Sequence, residues 1–260
     1  MQDWQPGLYL EFEKERTQPS IDLVARIVSD DPQRILDLGC GPGNSTDVLA
    51  GRWPRAQIIG MDSSEAMISE AKANYPDRDW LLADASGDMS GLGTFDIIFS
   101  NAVIQWIPHL EILLPKLFNM LHENGVLAVQ VPCTKYMPLH TELVNLAASE
   151  KWRTLFEAMD SSYSVHTADF YYETLSVLTA DFELWETDYY HVMNSHADLV
   201  KWYSASGLRP YMDCLEEGLQ AAGFIEDYEA ALKVAYPLQS DGKLLFPATR
   251  IFFIARRCRG

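Results

Sequence analysis

None of the four cysteines (Cys40, Cys133, Cys214, Cys258) has a CxxC partner, so a zinc or iron–sulfur centre is not expected. Their scatter does not read as a disulfide framework either, and the expected compartment is the reduced cytoplasm. No apolar stretch approaches the ~20 residues a membrane span requires. The opening MQDWQPGLYLEFEKERTQPS lacks a basic segment followed by an apolar run, which reads against a secretory signal. Basic residues are scarce: 20 Lys and Arg against 37 Asp and Glu leave a net charge of -17. So acidic a chain repels phosphate backbones, and its one arginine cluster, Arg256, Arg257 and Arg259, reads as a solvated terminus. Nucleic acid and membrane are therefore not expected partners, and the acidic surface favours a monomer. Internal repeats and low-complexity linkers are also absent. No Cys/His or Ser/His/Asp constellation stands out, so no catalytic residue is nominated.

What is present is a regular alternation of elements. Length suits one domain with an elaboration, or a large and a small domain. Seven Trp and twelve Tyr provide core, and such side chains also line pockets for flat ligands. Ile21, Val24, Ala25 and Val28 recur at helical spacing over residues 20–30. RILDL (34–38) is a short apolar run ending at glycines, hence a buried strand and a turn. Residues 45–53 read as a helix, 57–61 as a strand ending at Asp62, and 64–74 as a helix capped by Ser63 or Ser64. Strands follow at 80–83, ending at Asp84, and at 95–100, ending at Asn101. A helix at 110–122 contains Pro115, and Asn124-Gly125 turns the chain into a strand at 126–131.

This β-α-β repetition implies an α/β fold with a doubly wound, mostly parallel sheet and helices on both faces. After Pro132 the pattern changes: 139–160 and 197–235 read as helices, with strands at 182–191 and 250–255. The expected division is an N-terminal lid segment (1–19) and an α/β core (20–132). Residues 133–260 then form a helical cap (about 133–165 and 196–240) interleaved with the last two strands.

The strongest local signal is DLGCGPG (Asp37 to Gly43), between a strand and a helix. Gly39, Gly41 and Gly43 allow a tight turn and a close approach of backbone to ligand. The spacing is GxGxG rather than the dinucleotide GxGxxG. A pyrophosphate disfavours an acid at position 37, whereas S-adenosylmethionine (SAM) carries an ammonium and a sulfonium that welcome one. Asp62 ends the second strand, where a carboxylate can accept both ribose hydroxyls. Asp84 ends the third, within reach of an adenine amino group, and Asn101 ends the fourth, near the methionine moiety. A lone Asp after a strand more often forms a cap or turn, and Met61 or Met67 more often packs in a core than against adenine. Here the polar strand ends fall in order along the one edge where open α/β sheets bind ligands.

DLGCGPG, MDSSEAM, LLADA, FDIIFSNAVIQW and GVLAVQV, in that order, resemble the class I SAM-dependent methyltransferases. Within that class, Trp4, Pro6, Tyr9, Arg16, Gln105-Trp106, Tyr189-Tyr190-His191, the GLRP run ending at Pro210 and Tyr236-Pro237-Leu238 resemble the trans-aconitate 2-methyltransferase family. The resemblance covers nearly the whole chain. It implies SAM as cofactor, held by Asp37, Gly39, Gly41, Gly43, Asn44, Asp62, Ser63, Met67, Asp84, Ala85, Asn101 and Trp106.

The reaction it implies is transfer of a methyl group to a carboxylate of a tricarboxylate, giving a monomethyl ester and S-adenosylhomocysteine. A carboxylic acid with a pKa near ~4 is already nucleophilic at neutral pH, so positioning and water exclusion suffice. A trianion entering an acidic protein needs arginine forks. The nominees are Arg209 in GLRP, Arg250 at the last strand and Arg16 beside Tyr9, with Tyr190, His191 and Trp202 walling the acceptor. Each has a bland alternative. Arg16 sits among Glu11, Glu13 and Glu15 and can serve as a surface ion pair, the tryptophan packs, and a strand histidine is more often structural. Rival readings are a methyltransferase for another small carboxylic acid or acyl group, a SAM-binding module without catalysis, a nicotinamide oxidoreductase and an interaction protein.

Overall fold

The computed structural model describes residues 4, 7, 12–159, 163–164 and 166–258. Seven strands form one sheet: β1 (Arg34–Leu38), β2 (Gln57–Asp62), β3 (Asp79–Leu82), β4 (Phe95–Asn101), β5 (Leu121–Pro132), β6 (Phe182–Met193) and β7 (Leu244–Arg256). Their order is β3-β2-β1-β4-β5-β7-β6. Pairings from β3 to β5 are parallel, and β5 with β7 is antiparallel. The expected doubly wound, mostly parallel α/β sheet is what forms.

The helices are α1 (Glu13–Arg26), α2 (Asn44–Arg52), α3 (Glu65–Asn74), α4 (Leu110–Asn119), α5 (Pro138–Ala147), α6 (Arg153–Phe156), α7 (Ala168–Ser176), α8 (His196–Ser204), α9 (Arg209–Met212) and α10 (Leu219–Ala235). Among the described residues no helix is long and apolar enough to cross a membrane.

Each central strand is an apolar run because helices cover it on both faces. Ile35, Leu36 and Leu38 of β1, and Ile97, Ile98 and Phe99 of β4, are fully buried. Ser64 caps α3: its side chain accepts from the Met67 N–H at 3.1 Å, an arrangement worth ~1 kcal/mol. Pro115 lies inside α4 without breaking it.

The described residues divide into two compact units. One, the sheet unit, draws on 3–132, 166–187 and 250–260; the other, the helical unit, on 133–165 and 188–249. In the sheet unit, Arg256 pairs with Asp181 and Glu183, Glu183 pairs with Arg26, and the Arg26 guanidinium lies 4.1 Å from the Trp185 ring centre. In the helical unit α10 packs on α5 and α8. There the Tyr228 hydroxyl donates to the Leu139 carbonyl, and the Leu139 N–H donates to the Tyr236 hydroxyl at 3.0 Å.

Several boundaries differ from expectation. The helix expected over 197–235 is three, α8, α9 and α10, and the helix expected over 110–122 ends at Asn119 because β5 already begins at Leu121 rather than at 126. The first helix starts at Glu13 rather than near residue 20. The helix expected over 139–160 ends at Ala147 and resumes only for Arg153–Phe156, because Trp152 turns inward with its indole N–H on Asp227, 2.7 Å away. The last strand starts at Leu244, six residues before 250.

Candidate active site

The strand order reverses beside β1: β2 and β3 lie on one side of it, β4 and β5 on the other. The chain leaving β1 and the chain leaving β4 therefore part at their carboxyl ends, opening a crevice suited to a ligand. Gly39 follows β1 at φ +72°, and a Cβ there would lie 2.2 Å from the Val103 side chain behind β4. Only glycine lets the two loops approach so closely. Gly41 (φ +54°) differs, since a Cβ on it would meet open space.

A cavity of about 260 Å³ occupies this crevice, with Gly39, Gly41, Asp62, Asp84, Asn101 and Trp106 around it. Ser63, Met67 and Ala85 of the expected cofactor set line it too. Both oxygens of Asp62 are oriented by backbone: Oδ2 accepts from the Gly41 N–H and Oδ1 from the Ser64 N–H, each at 2.9 Å. Asp84 Oδ1 accepts from the Ser86 N–H at 2.8 Å, which fixes the turn after β3. Ala102, next to Asn101, adopts φ 58°, a left-handed conformation unusual for a residue with a side chain. It is held by its N–H to the Gln130 carbonyl (2.9 Å) and by the Gln105 amide on its own carbonyl (2.7 Å). Trp4 meets Trp106 edge to face at 5.4 Å.

Three members of the expected set lie elsewhere. Gly43 precedes α2 at φ +101°, where a Cβ would collide with Tyr75 (2.7 Å) and Trp80 (2.9 Å). Asn44 faces a neighbouring recess and donates to Glu13 at 2.6 Å. Asp37 is fully buried beneath the loop, where Oδ2 accepts from Ser45 Oγ (2.7 Å) and Thr46 Oγ1 (2.6 Å) and Oδ1 has no hydrogen-bond partner. Burial pushes its carboxyl up to about 6, against the pull of the two hydroxyls.

Of the acceptor nominees, Arg16 on α1 lines the recess beside Gly39 and Gly41. Arg250 on β7 pairs in register with Pro132 and is only 7% exposed. Arg209 opens α9 in the helical unit. In that unit Trp202 is buried against Phe246, ring centres 5.1 Å apart, and His191 lies 5.8 Å from the same phenylalanine. Tyr190 is largely exposed. Tyr9 lies outside the described residues.

Trp4, Ala102, Val103, Ile107 and Pro108 also line the cavity. None was nominated for the site from the sequence, because they contribute surface and backbone rather than a chemical signature. Trp4 appeared only among the residues of the resemblance, Ala102 and Val103 only within the FDIIFSNAVIQW run, and Ile107 and Pro108 left no trace.

Chemically, the cavity combines a wall of methionine and alanine with carboxylates at successive strand ends. That set can hold a flat base, a diol and a cationic centre.

Comparison with known proteins agrees. Residues 9–213 match the family described as "Methyltransferase domain". The chain is 41% identical over 257 residues, 99% of each chain, to trans-aconitate 2-methyltransferase of Enterobacter sp. (strain 638). It is 40% identical, again over 99% of each chain, to the Escherichia coli K12 protein of the same name, and similarly to that of Methylobacterium radiotolerans. Among solved structures, YcgJ of Bacillus subtilis superposes with a TM-score of 0.61 at 15% identity, covering 93% of this chain and 99% of that one. The plantazolicin methyltransferase BamL, solved with SAH, gives 0.54 at 18% identity over 96% and 90%. These two likenesses concern the fold. Full-length identity of this order, on a sheet whose switch-point crevice carries the glycine loop, places the chain in the trans-aconitate 2-methyltransferase family of methyltransferases.

Proposed function

We propose that this protein transfers the methyl group of SAM to a carboxylate of trans-aconitate, giving the monomethyl ester and S-adenosylhomocysteine. The observation that carries the reading is the full-length identity of about 40% to proteins bearing that name.

The residues present fit the cofactor. Asp62 lines the cavity with a carboxylate oriented by the Gly41 and Ser64 N–H groups, an acceptor of the kind that suits a ribose diol. Asp84, Ala85 and Met67 line the same cavity and would hold the adenine, and Ser63, next to Asp62, would stand by the ribose. Gly41 offers a bare backbone face, and Asn101 an amide oxygen that is buried without a partner. The group supplies an electrophilic methyl on a sulfonium, and Trp106 presents an aromatic surface that favours positive charge.

The protein's own task is then orientation and exclusion of water, because an ionised carboxylate needs no base. For the acceptor, Arg250 is the candidate of the sheet unit; Arg209, with Tyr190, His191 and Trp202, is that of the helical unit. Tyr9 is a further candidate from the sequence alone. Each is a separate proposal. A monomer that binds neither nucleic acid nor membrane, working in the cytoplasm, is part of the same reading.

The test is release of S-adenosylhomocysteine from SAM with trans-aconitate, cis-aconitate, citrate or a fatty acid. Release with trans-aconitate well above the others is the expected result. Preference for another acid would move the assignment to a different carboxylate acceptor.

A further inference from the structure

The large cavity adjoins a small recess of about 20 Å³ lined in part by α1, and the two share Gly39, Gly41 and Asn101 as walls. Room of that size suits one small polar group. Arg16, Thr17 and Ser20 of α1 line it as well. Glu13 ties α1 to the first residue of α2, next to the glycine loop: its carboxylate accepts from the Asn44 amide at 2.6 Å. Asn101 Oδ1, at the junction of cavity and recess, is buried and has no hydrogen-bond partner.

SAM and its product are more than nucleosides. Beyond the sulfur they end in an α-amino acid, with an ammonium and a carboxylate on one carbon. The recess offers a matching pair, a buried amide oxygen that accepts from a cation and, beyond it, a guanidinium that forks onto a carboxylate. We propose that Arg16 binds the carboxylate of the cofactor's amino-acid end while Asn101 Oδ1 accepts from its ammonium. On this assignment α1 belongs to the cofactor site, and Arg16 does not hold the acceptor acid. It rests on SAM being the cofactor.

The arrangement has a chemical consequence. In a chain of net charge -17, a carboxylate ligand is repelled unless a cation is placed for it. Arg16 therefore makes the site selective for adenosyl amino acids over adenosyl compounds that have lost the carboxylate.

The test uses calorimetry on the full-length protein with three ligands. S-adenosylhomocysteine carries both charges, its decarboxylated analogue carries only the ammonium, and 5′-methylthioadenosine carries neither. Arg16→Gln should weaken S-adenosylhomocysteine by ~10–100-fold and leave the other two within about twofold. Arg16→Lys should recover part of the loss. Asn101→Ser should weaken the two amine-bearing ligands and spare 5′-methylthioadenosine.

Unchanged S-adenosylhomocysteine affinity in Arg16→Gln overturns the proposal, as does equal weakening of all three ligands. A raised KM for the acid acceptor with unchanged S-adenosylhomocysteine affinity would return Arg16 to the acceptor site. Failure of the unmodified protein to bind any of the three would remove the SAM reading itself, and the assignment with it.

Discussion

The carboxylate of Asp62 accepts a hydrogen bond from the backbone N–H of Gly41 at 2.9 Å, tying the acid that ends β2 to the glycine loop that follows β1. The contact does two things. It fixes the loop, and it holds the carboxylate of Asp62 at the wall of the cavity. Asp62→Asn places an NH2 group against either the Gly41 or the Ser64 N–H, so one backbone donor loses its acceptor. Affinity for S-adenosylhomocysteine is expected to fall by ~10–100-fold, the range for a charge-assisted bond. Calorimetry with 5′-methylthioadenosine should show the same loss, since both ligands carry the ribose. A normal affinity would remove Asp62 from the ribose site.

The strands and the glycine loop were legible in the sequence because each is written in one contiguous run. RILDL is buried from Ile35 to Leu38, and the acids that follow successive strands fall in register by topology alone. What escaped is set by long-range packing. Trp152 interrupts the expected helix because Asp227, 75 residues away, receives its N–H. Helix α7 has one side on Phe253 through Tyr171, at 5.4 Å, a partner no local pattern reveals. Asp37 was conspicuous as a motif residue, yet its full burial under α2 follows from Ser45 and Thr46 reaching back to it. Sequence spacing names the carboxylate but not the direction it faces.

Burial raises the Asp37 carboxyl from 3.8 to about 6. A shift of that size is worth roughly 3 kcal/mol between the two protonation states. The folded protein holds this proton more tightly than the unfolded chain. Its stabilising contribution is therefore fully present below about pH 4 and is lost as pH rises through about 6. Asp37→Asn carries no such charge. In cofactor-free protein, the denaturation free energy of wild type minus that of the variant should decrease between pH 4 and 6.5 and level off above. A pH-independent difference would contradict the buried, protonatable carboxyl.

Two glycines separate stability from binding. A Cβ at Gly207 would lie 2.2 Å from the ring of Tyr203, which is buried, stacked with Trp202 and hydrogen-bonded to His140 at 2.8 Å. Gly207→Ala must displace that ring and should cost ~1–3 kcal/mol, lowering the melting temperature by several degrees. Gly41→Ala meets no atom and should cost only the ~1 kcal/mol of its left-handed backbone, but its methyl group enters the ligand cavity. Thermal melts and S-adenosylhomocysteine titrations should therefore rank the two variants in opposite orders. Equal ranking would mean that the open face of Gly41 is not where the ligand lies.

Arg209 and Arg250 make the acceptor proposal testable without reference to how the two units are arranged. Arg250 is buried in the sheet, so Arg250→Gln keeps most of its volume while removing its charge. Arg209 stands at the start of a four-residue helix, where Arg209→Ala removes no helix-capping bond. A residue that forks onto an acceptor carboxylate acts on the acceptor alone. Each variant should raise KM for trans-aconitate by ~10–100-fold while S-adenosylhomocysteine affinity stays within about twofold. With an acceptor in which one carboxylate is already esterified, the penalty should shrink for whichever arginine reads that carboxylate. An arginine whose removal changes neither KM nor the ranking of acceptors is a structural residue, and the tricarboxylate must then find its positive charge elsewhere in the chain.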